Sequence, residues 1–153
     1  MKQKFWLFGT GVEILSDEKQ SGGLYDLIEG TFSPGVETPL HVHNQYSESI
    51  YVLEGEFTVY LDEEVIVLKP GETAFIPKGA PHVVAASAPA PSRGITISSP
   101  SGFAELIRLT GIPYKPGSDG SEKTDIELFM AVSERLGDAI LGPPGARPGN
   151  QVN

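Results

Sequence analysis

Short apolar runs separated by glycine and proline are the feature of this sequence that most restricts its fold. The chain of 153 residues contains 18 glycines and 13 prolines, and they fall between runs rich in Val, Ile, Phe, Tyr and Thr. This spacing is typical of many short strands joined by turns, and it favours an all-β sandwich or barrel. No stretch before residue 100 has a convincing helical period, so this part of the chain is predicted to consist of strands.

The strands can be placed along the chain from these runs. A first strand is predicted at 5–8, because this apolar run has no signal-peptide cleavage site after it. The others are predicted at 12–15, 24–32, 40–43, 49–53, 56–61, 64–68, 73–77, 82–86 and 94–98. Turns are expected around Gly55, Asp62 and Pro70, where the residue types suit tight turns.

The pattern becomes helical near residue 100. Apolar residues at helical spacing follow Pro100 and a serine cap candidate, and Gly111 ends the run. Thr124 and Glu127 form a capping-box pattern that predicts a second helix, ending before Gly137. We predict a barrel over residues 1–110, and a C-terminal helical segment with a flexible tail over 111–153. This appendage is expected to cover either the barrel mouth or an exposed sheet edge.

Composition argues against several classes of partner. The net charge is −9, whereas nucleic acids and anionic lipids are bound through clustered Lys and Arg. The sequence has no apolar run long enough for a membrane span. It has no cysteine, which excludes disulfides and thiolate metal sites and fits a cytoplasmic protein.

All three histidines lie in two glycine- and proline-rich stretches. His41 and His43 occupy one face of a predicted strand, because side chains alternate along a strand. Glu48 lies at odd spacing from His43, so it faces the same interior only if a turn or bulge occupies residues 44–47. His82 closes the second stretch, and its strand must lie beside this hairpin for the four side chains to meet.

Three imidazoles and one carboxylate suit a divalent transition metal: Fe, Mn, Ni, Co, Cu or Zn. Calcium and magnesium prefer shells made only of oxygen atoms. An octahedral ion would keep two positions open, which distinguishes a catalytic site from a closed structural one. The alternative interpretation is that the histidines are surface or hydrogen-bonded residues and that Glu48 lies on a solvated strand face.

The two stretches resemble the two motifs of the cupin superfamily. The first pattern, Gly-x5-His-x-His-x4-Glu-x6-Gly, is matched by Gly35, His41, His43, Glu48 and Gly55. The second, Gly-x5-Pro-x-Gly-x2-His-x3-Asn, is matched by Gly71, Pro77, Gly79 and His82, with Ala86 in place of the final asparagine. The resemblance implies a small jelly-roll β-barrel with a metal inside its mouth. The metal ligands that it implies are His41, His43, Glu48 and His82.

The segments 98–103, 109–111 and 141–144 are similar to single-domain cupins of the quercetin 2,3-dioxygenase-like group. This similarity implies a metal-dependent dioxygenase acting on an enolic or catecholic small molecule. Glu48 would be the catalytic residue that accepts the hydroxyl proton of the substrate. Strand parity suggests an apolar pocket formed by Ile50, Val52, Phe75 and Val84, although ordinary barrel core is an equal interpretation of these four.

Other functions remain open, because cupins carry many activities on one fold. One is an isomerase, lyase or decarboxylase that uses the metal as a Lewis acid, with Lys78 or Arg93 as candidate partners for an anionic substrate. Another is a non-enzymatic binder of small molecules. Single-domain cupins are commonly homodimers, so a homodimer is expected, with Phe5–Phe8 either at its contact or in an internal strand.

Overall fold

Two antiparallel sheets face each other in the computed structural model, which describes residues 3–149. The seven-stranded sheet has the order β11-β1-β2-β3-β10-β5-β8, and the five-stranded sheet has the order β12-β4-β9-β6-β7. The strands of the first sheet are β1 (Gln3–Leu7), β2 (Thr10–Ser16), β3 (Asp26–Phe32), β5 (Ser47–Glu54), β8 (Thr73–Ile76), β10 (Ser92–Ser99) and β11 (Ile112–Pro113). Those of the second are β4 (Leu40–His43), β6 (Phe57–Leu61), β7 (Glu64–Leu68), β9 (His82–Ala86) and β12 (Asp138–Gly142).

The all-β jelly-roll prediction is confirmed, and the predicted strands 40–43, 64–68 and 82–86 have the observed bounds. The described part of the chain also contains three helices: α1 (Glu18–Ser21), α2 (Phe103–Thr110) and α3 (Ile126–Arg135). The sequence pattern missed α1, a single turn too short for helical periodicity. Its signal is local, since Asp17 and Gln20 form a capping box around it.

The main core lies between the two sheets. It is built from inward-facing residues of β5, β6, β8 and β9, together with Leu68 of β7. Val52 and Val59 are fully buried, and Phe57 packs edge-to-face on Phe32 with ring centroids 5.3 Å apart. Burying one such side chain contributes roughly 1.5–3 kcal/mol, so this cluster is a large part of what stabilises the barrel.

The two C-terminal helices pack against the barrel in sequence. Ala104 and Ile107 of α2 contact Ile28 and its apolar neighbours on β2 and β3. Phe129 and Val132 of α3 then pack on the next face of α2. Among residues 3–149, no helix is long and apolar enough to cross a membrane.

Both helix caps differ from the predicted ones. At α3 the cap is Asp125, whose carboxylate accepts a hydrogen bond from the backbone N–H of Leu128 at 3.0 Å. Thr124 was wrongly assigned as the cap, because its hydroxyl accepts instead from the backbone N–H of Phe8 at 2.9 Å. At α2 no serine caps the helix. A tertiary partner, Asp26, accepts from the first backbone N–H groups at 2.8 and 2.9 Å.

The chain after residue 110 is not only helical. It adds β11 to one sheet and β12 to the other, where β12 pairs with β4. The two parts of the chain on either side of the predicted boundary at residue 110 therefore contribute strands to both sheets. The division into a barrel and a C-terminal segment stays a prediction.

The tail makes specific contacts up to the last described residues. Arg147 donates to both carboxylate oxygens of Glu37 at 3.0 Å each, and its guanidinium lies 4.0 Å above the ring of Tyr60. A loosely ordered tail does not account for these contacts over 142–149. The remaining tail residues, 150–153, lie outside the described part of the chain.

The strand β1 is internal to its sheet, with β2 on one side and β11 on the other. Phe5 and Leu7 pack beside the core cluster under α2. This packing agrees with the interpretation of the N-terminal apolar run as a strand of its own barrel, and the homodimer stays a prediction.

Candidate metal centre

The four predicted ligands come from both sheets. His41 and His43 lie on β4, and His82 lies on β9, directly opposite His41 in the strand register. Glu48 is the second residue of β5, in the other sheet. The predicted turn between His43 and Glu48 is present, but the hairpin was wrong. Strands β4 and β5 belong to opposite sheets, and the turn carries the chain across the barrel.

The four side chains converge within the barrel. One ligand atom from each residue lies within 4.8 Å of the others. The Oε2 atom of Glu48 lies 3.1 Å from His82 Nε2 and 3.4 Å from His43 Nε2. His43, Glu48 and His82 are buried, and His41 is partly exposed on the cavity side.

The Nδ1 atoms of the histidines are all engaged by oxygen atoms outside the cluster. The pairs are His41 with the Pro39 carbonyl at 2.8 Å, His43 with Asp138 Oδ1 at 2.8 Å, and His82 with the Ala80 carbonyl at 2.9 Å. Because these oxygens accept, each Nδ1 is the donor, which leaves the Nε2 atoms to face one another. Such outer partners are typical of metal-ligating histidines.

A further observation supports the fit to a metal. His43 Nε2 is buried and has no hydrogen-bond partner within residues 3–149. A buried nitrogen with no partner is rare unless another group satisfies it. With three imidazole nitrogens and one carboxylate oxygen converging, the cluster fits a divalent metal site.

Burial and mutual charge set the protonation of the cluster. Burial, reinforced by His82 and His43, lowers the pKa of His41 to about 3. Burial alone would raise the pKa of Glu48, but His43 and His82 outweigh it and hold that pKa well below its usual range. Burial would likewise lower the pKa of His43, yet Glu48 and Asp138 raise it to about 10. Metal ligation by His43 therefore requires the loss of a proton.

Two residues at the centre were not found from the sequence. Tyr46 stacks on His43 with ring centroids 4.4 Å apart and planes 22° apart, and it is almost fully buried. Its burial raises the pKa of its hydroxyl well above the usual range, with a further contribution from Glu48. The only signal was an aromatic residue inside an otherwise polar turn. Asp138 had no local signal, because its contact with His43 spans 95 residues.

The loop of the second motif is fixed against the first. Gly79 has a φ of +81°, and its backbone N–H donates to the carbonyl of His43 at 2.8 Å. A residue with a side chain is strained in this left-handed conformation. The motif glycine thus lets the loop before β9 approach β4 closely, and His82 enters the cluster as a result.

A cavity of about 150 Å³ lies beside the cluster. His41, His43 and Glu48 form part of its wall, and most of the rest is apolar. Five phenylalanines line it: Phe8, Phe32, Phe57, Phe103 and Phe129. The last two come from α2 and α3, so the C-terminal helices form one wall of the cavity rather than only covering a sheet edge.

The predicted pocket residues divide into two groups. Ile50 and Val84 line the cavity, as predicted. Val52 instead lies in the packed core, and Phe75 is 59% exposed on the outer face. Phe75 was wrong because its β8 neighbours at 74 and 76 are the inward-facing ones. Ala86, which replaces the motif asparagine, packs within the core.

The two candidate cations for an anionic substrate lie outside the cavity. Arg93 pairs with Glu29 and Glu54 at 3.1 and 2.9 Å on the outer surface, and Lys78 is exposed. Neither residue lines the cavity.

The comparisons agree with this fold and cluster. The family model of the cupin domain matches residues 29–98, which include all four clustered side chains. Residues 29–98 therefore form a cupin domain.

Relatives of known name extend the comparison. Quercetin 2,3-dioxygenase of Bacillus subtilis is 31% identical over 135 residues, which are 88% of this chain and 39% of that protein. The chain spans between 39% and 59% of the length of the curated relatives that it matches.

Solved structures show the same fold. A cupin of the RmlC-like type from Shewanella frigidimarina is 25% identical, with a TM-score of 0.57, over 66% of this chain and 86% of that one. The polyketide cyclase RemF from Streptomyces resistomycificus is 30% identical, with a TM-score of 0.52, over 60% of this chain and 65% of that one.

Proposed function

We propose that this protein is a metal-dependent dioxygenase that acts on an enolic or catecholic small molecule. The observation that carries the proposal is the apolar cavity that opens onto His41, His43 and Glu48. It places a binding volume for an apolar molecule directly beside a cluster that suits a divalent transition metal.

The charge of the cavity wall favours a neutral substrate. Among the described residues that line it, the only charged side chains apart from the histidines are acidic: Glu37, Glu48 and Asp138. A substrate carboxylate or phosphate is normally bound by Arg or Lys, and none lines this cavity in the described part of the chain. Five phenylalanine rings instead offer flat apolar contacts to an aromatic molecule.

The similarity to quercetin 2,3-dioxygenase of Bacillus subtilis supports the same chemistry. It extends over 88% of this chain, which is more than the matched cupin domain at 29–98. The relative is more than twice as long, and its substrate is therefore a guide to the class of molecule only.

Each residue of the site has a role in this proposal. His41, His43 and His82 would hold the ion through Nε2, together with the Glu48 carboxylate. When bound, a divalent transition ion would supply the Lewis-acid and redox chemistry for the reaction of an enolic substrate with dioxygen. Glu48 lines the cavity, so its carboxylate would lie within reach of the substrate hydroxyl and would accept its proton. The phenylalanine walls orient the substrate ring and exclude water from it.

The test is oxygen consumption by the protein reconstituted with each of Fe, Mn, Ni, Co, Cu and Zn. With a panel of flavonols and enediols, we expect oxygen uptake that matches substrate loss for at least one metal. The Glu48→Gln variant keeps the shape of the side chain but loses the proton acceptor, so its rate should fall by roughly 10²–10⁴-fold. Absence of oxygen uptake with every metal and substrate would contradict the proposal.

A second candidate function uses the metal as a Lewis acid without dioxygen. The likeness to a polyketide cyclase at 30% identity, together with the apolar cavity, favours a neutral carbonyl substrate in that case. The same assay under argon separates the two, since turnover without oxygen identifies the second candidate. Tight ligand binding with no turnover in either atmosphere identifies a binding protein.

A further inference from the structure

We propose that Asp138 is a positioning residue of the metal centre, which holds the His43 imidazole with its Nε2 facing the other ligands. This inference rests on the metal centre proposed above. It assigns a role there to the C-terminal segment, because Asp138 lies outside the matched cupin domain at 29–98.

The contact between the two side chains is short and dry. His43 Nδ1 lies 2.8 Å from Asp138 Oδ1, and the two side chains are 6% and 3% exposed. The residues are also direct partners in the register of β4 and β12. A hydrogen bond to a carboxylate in such surroundings is about twice as strong as one between neutral groups, so turning the ring costs this bond.

Asp138 has no other visible task. Within residues 3–149, its only side-chain hydrogen bond is to His43, and its Oδ2 is buried without a partner. The buried Asp26 is a useful contrast, because its Oδ2 accepts two backbone N–H groups at the start of α2. Asp26 thus has a clear structural role. The cost of burying Asp138 is offset by a contact to one metal-ligand candidate.

The local chain path fixes Asp138 in this place. Gly137 has a φ of +86°, which turns the chain sharply from α3 into β12. Its carbonyl accepts the backbone N–H of Asn44 at 3.2 Å, and a Cβ there would meet Gln45 Cγ at 2.5 Å. The corner after α3 therefore docks on the turn that follows His43, and the register then sets Asp138 opposite it.

The chemistry follows from the acceptor. By accepting from Nδ1–H, the Asp138 carboxylate fixes the tautomer whose Nε2 carries a lone pair, and it makes that nitrogen a stronger donor to a metal. His41 and His82 have neutral backbone carbonyls in the same position. His43 is therefore the one candidate ligand of the three histidines whose Nδ1 partner is a side chain. Its affinity for a metal can thus be tested by substituting that partner.

The test measures metal affinity and ligand field in the full chain. Dissociation constants for Co²⁺ and Zn²⁺ are measured by competition with a chelator, and the visible absorption bands of the Co²⁺ form are recorded. We expect Asp138→Ala to weaken both metals by roughly 10–100-fold and to shift the Co²⁺ bands. Asp138→Asn keeps an acceptor oxygen but no charge, so it should fall between Asp138→Ala and the unaltered protein.

A matched control separates orientation from loosening of the C-terminal segment. Asp125→Ala removes the cap of α3, thirteen residues before Asp138, and the Asp125 side chain makes no hydrogen bond to the histidines. It should lower the Tm and leave the metal affinity and Co²⁺ bands unchanged. Should Asp138→Ala not fold, Asp138→Asn carries the test with nearly the same shape.

Three results would overturn the inference. Unchanged affinity and Co²⁺ bands in a folded Asp138 variant would do so. Equal weakening by Asp125→Ala would do so too, because the effect would then be loosening. An unaltered protein that binds neither Co²⁺ nor Zn²⁺ would overturn the proposed metal centre itself, and with it this inference. That last failure is distinguishable, because it appears before any substitution is made.

Discussion

The two ends of the barrel interior are stabilised in different ways. At the packed end, side chains from both sheets interdigitate, and Val52, Val59, Leu68 and Ile76 are at most 2% exposed. At the cavity end, the interior stays open beside the histidines and Glu48. Atoms that line an open space lose dispersion contacts on that side, so this end has less packing to stabilise it.

Buried carboxylates hold the cavity end instead. Asp26 binds the first N–H groups of α2, and Asp17 pairs with Arg108 of the same helix at 2.7 Å. Asp138 binds His43 at 2.8 Å. Each contact holds one wall of the cavity against the barrel and leaves the cavity open. An open interior is therefore compatible with a fixed shape when buried polar contacts surround it.

The largest expected effect is on metal binding at the cavity end. His82→Ala removes a fully buried ligand candidate, and metal content measured by mass spectrometry should fall from roughly one ion per chain to near zero. The far-UV circular dichroism should remain that of a folded β protein, because the packed end is intact. Equal metal content in the variant and the unaltered protein would refute the metal centre.

The opposite substitution tests the packed end. Leu68→Ala truncates a side chain that is 2% exposed in the main core, and we expect a loss of about 2–5 kcal/mol in the free energy of unfolding in urea. Metal content should not change, since Leu68 does not line the cavity. A variant that loses metal as well as stability would show that the two ends are not separable.

The sequence predicted the metal ligands at the cavity end much better than the buried carboxylates around them. The ligands His41, His43, Glu48 and His82 lie within 42 residues, on strands flanked by turns whose glycines and proline restrict the backbone locally. Alternation along β4 placed both of its histidines on one face. The sequence did not predict that β4 and β5 belong to different sheets. A short turn between two strands usually indicates a hairpin, and only the tertiary fold shows that this turn crosses between the sheets.

The contacts of these buried carboxylates could not be predicted from the sequence, because their partners lie far away along the chain. Asp17, Asp26 and Asp138 find their partners 91, 76 to 78, and 95 residues away, and no local pattern reports such distances. Local propensity also predicted the wrong caps for α2 and α3. At α2 the distant Asp26 accepts the hydrogen bonds, and at α3 the Thr124 hydroxyl is engaged by the distant Phe8. Contacts of high sequence separation are those that only the folded chain defines.

Acid should weaken the ion pair between Asp17, which follows β2, and Arg108 of α2. Arg108 lowers the pKa of Asp17, so the stabilisation is present above the unfolded pKa and is lost as pH falls through the folded pKa. Asp17→Asn keeps a capping group for α1 but loses the charge. We expect it to lower the free energy of unfolding by about 1.5 kcal/mol at pH 7. The difference from the unaltered protein should shrink as pH is lowered below about 4. A difference that does not depend on pH would contradict the ion pair.

The smallest expected effect concerns the tail. Arg147 and Glu37 are each about 15% exposed, and Arg147 also covers the ring of Tyr60. Because the pair is partly solvated, Arg147→Gln should cost only about 1 kcal/mol in the free energy of unfolding. Arg147→Lys keeps the charge but loses the planar, two-pronged contact, so it should recover only part of that loss.

Arg147→Gln also tests whether the ion pair of Arg147 with Glu37 helps to fix the shape of the cavity. Glu37 lines the cavity, whereas Arg147 does not, so Arg147→Gln loosens the rim without touching the wall. If the rim matters for the shape of the cavity, the affinity for an apolar ligand should fall while that for Co²⁺ stays the same. If both affinities stay the same, the tie to Arg147 stabilises the chain end alone, and the ties that define the cavity are those of Asp17, Asp26 and Asp138.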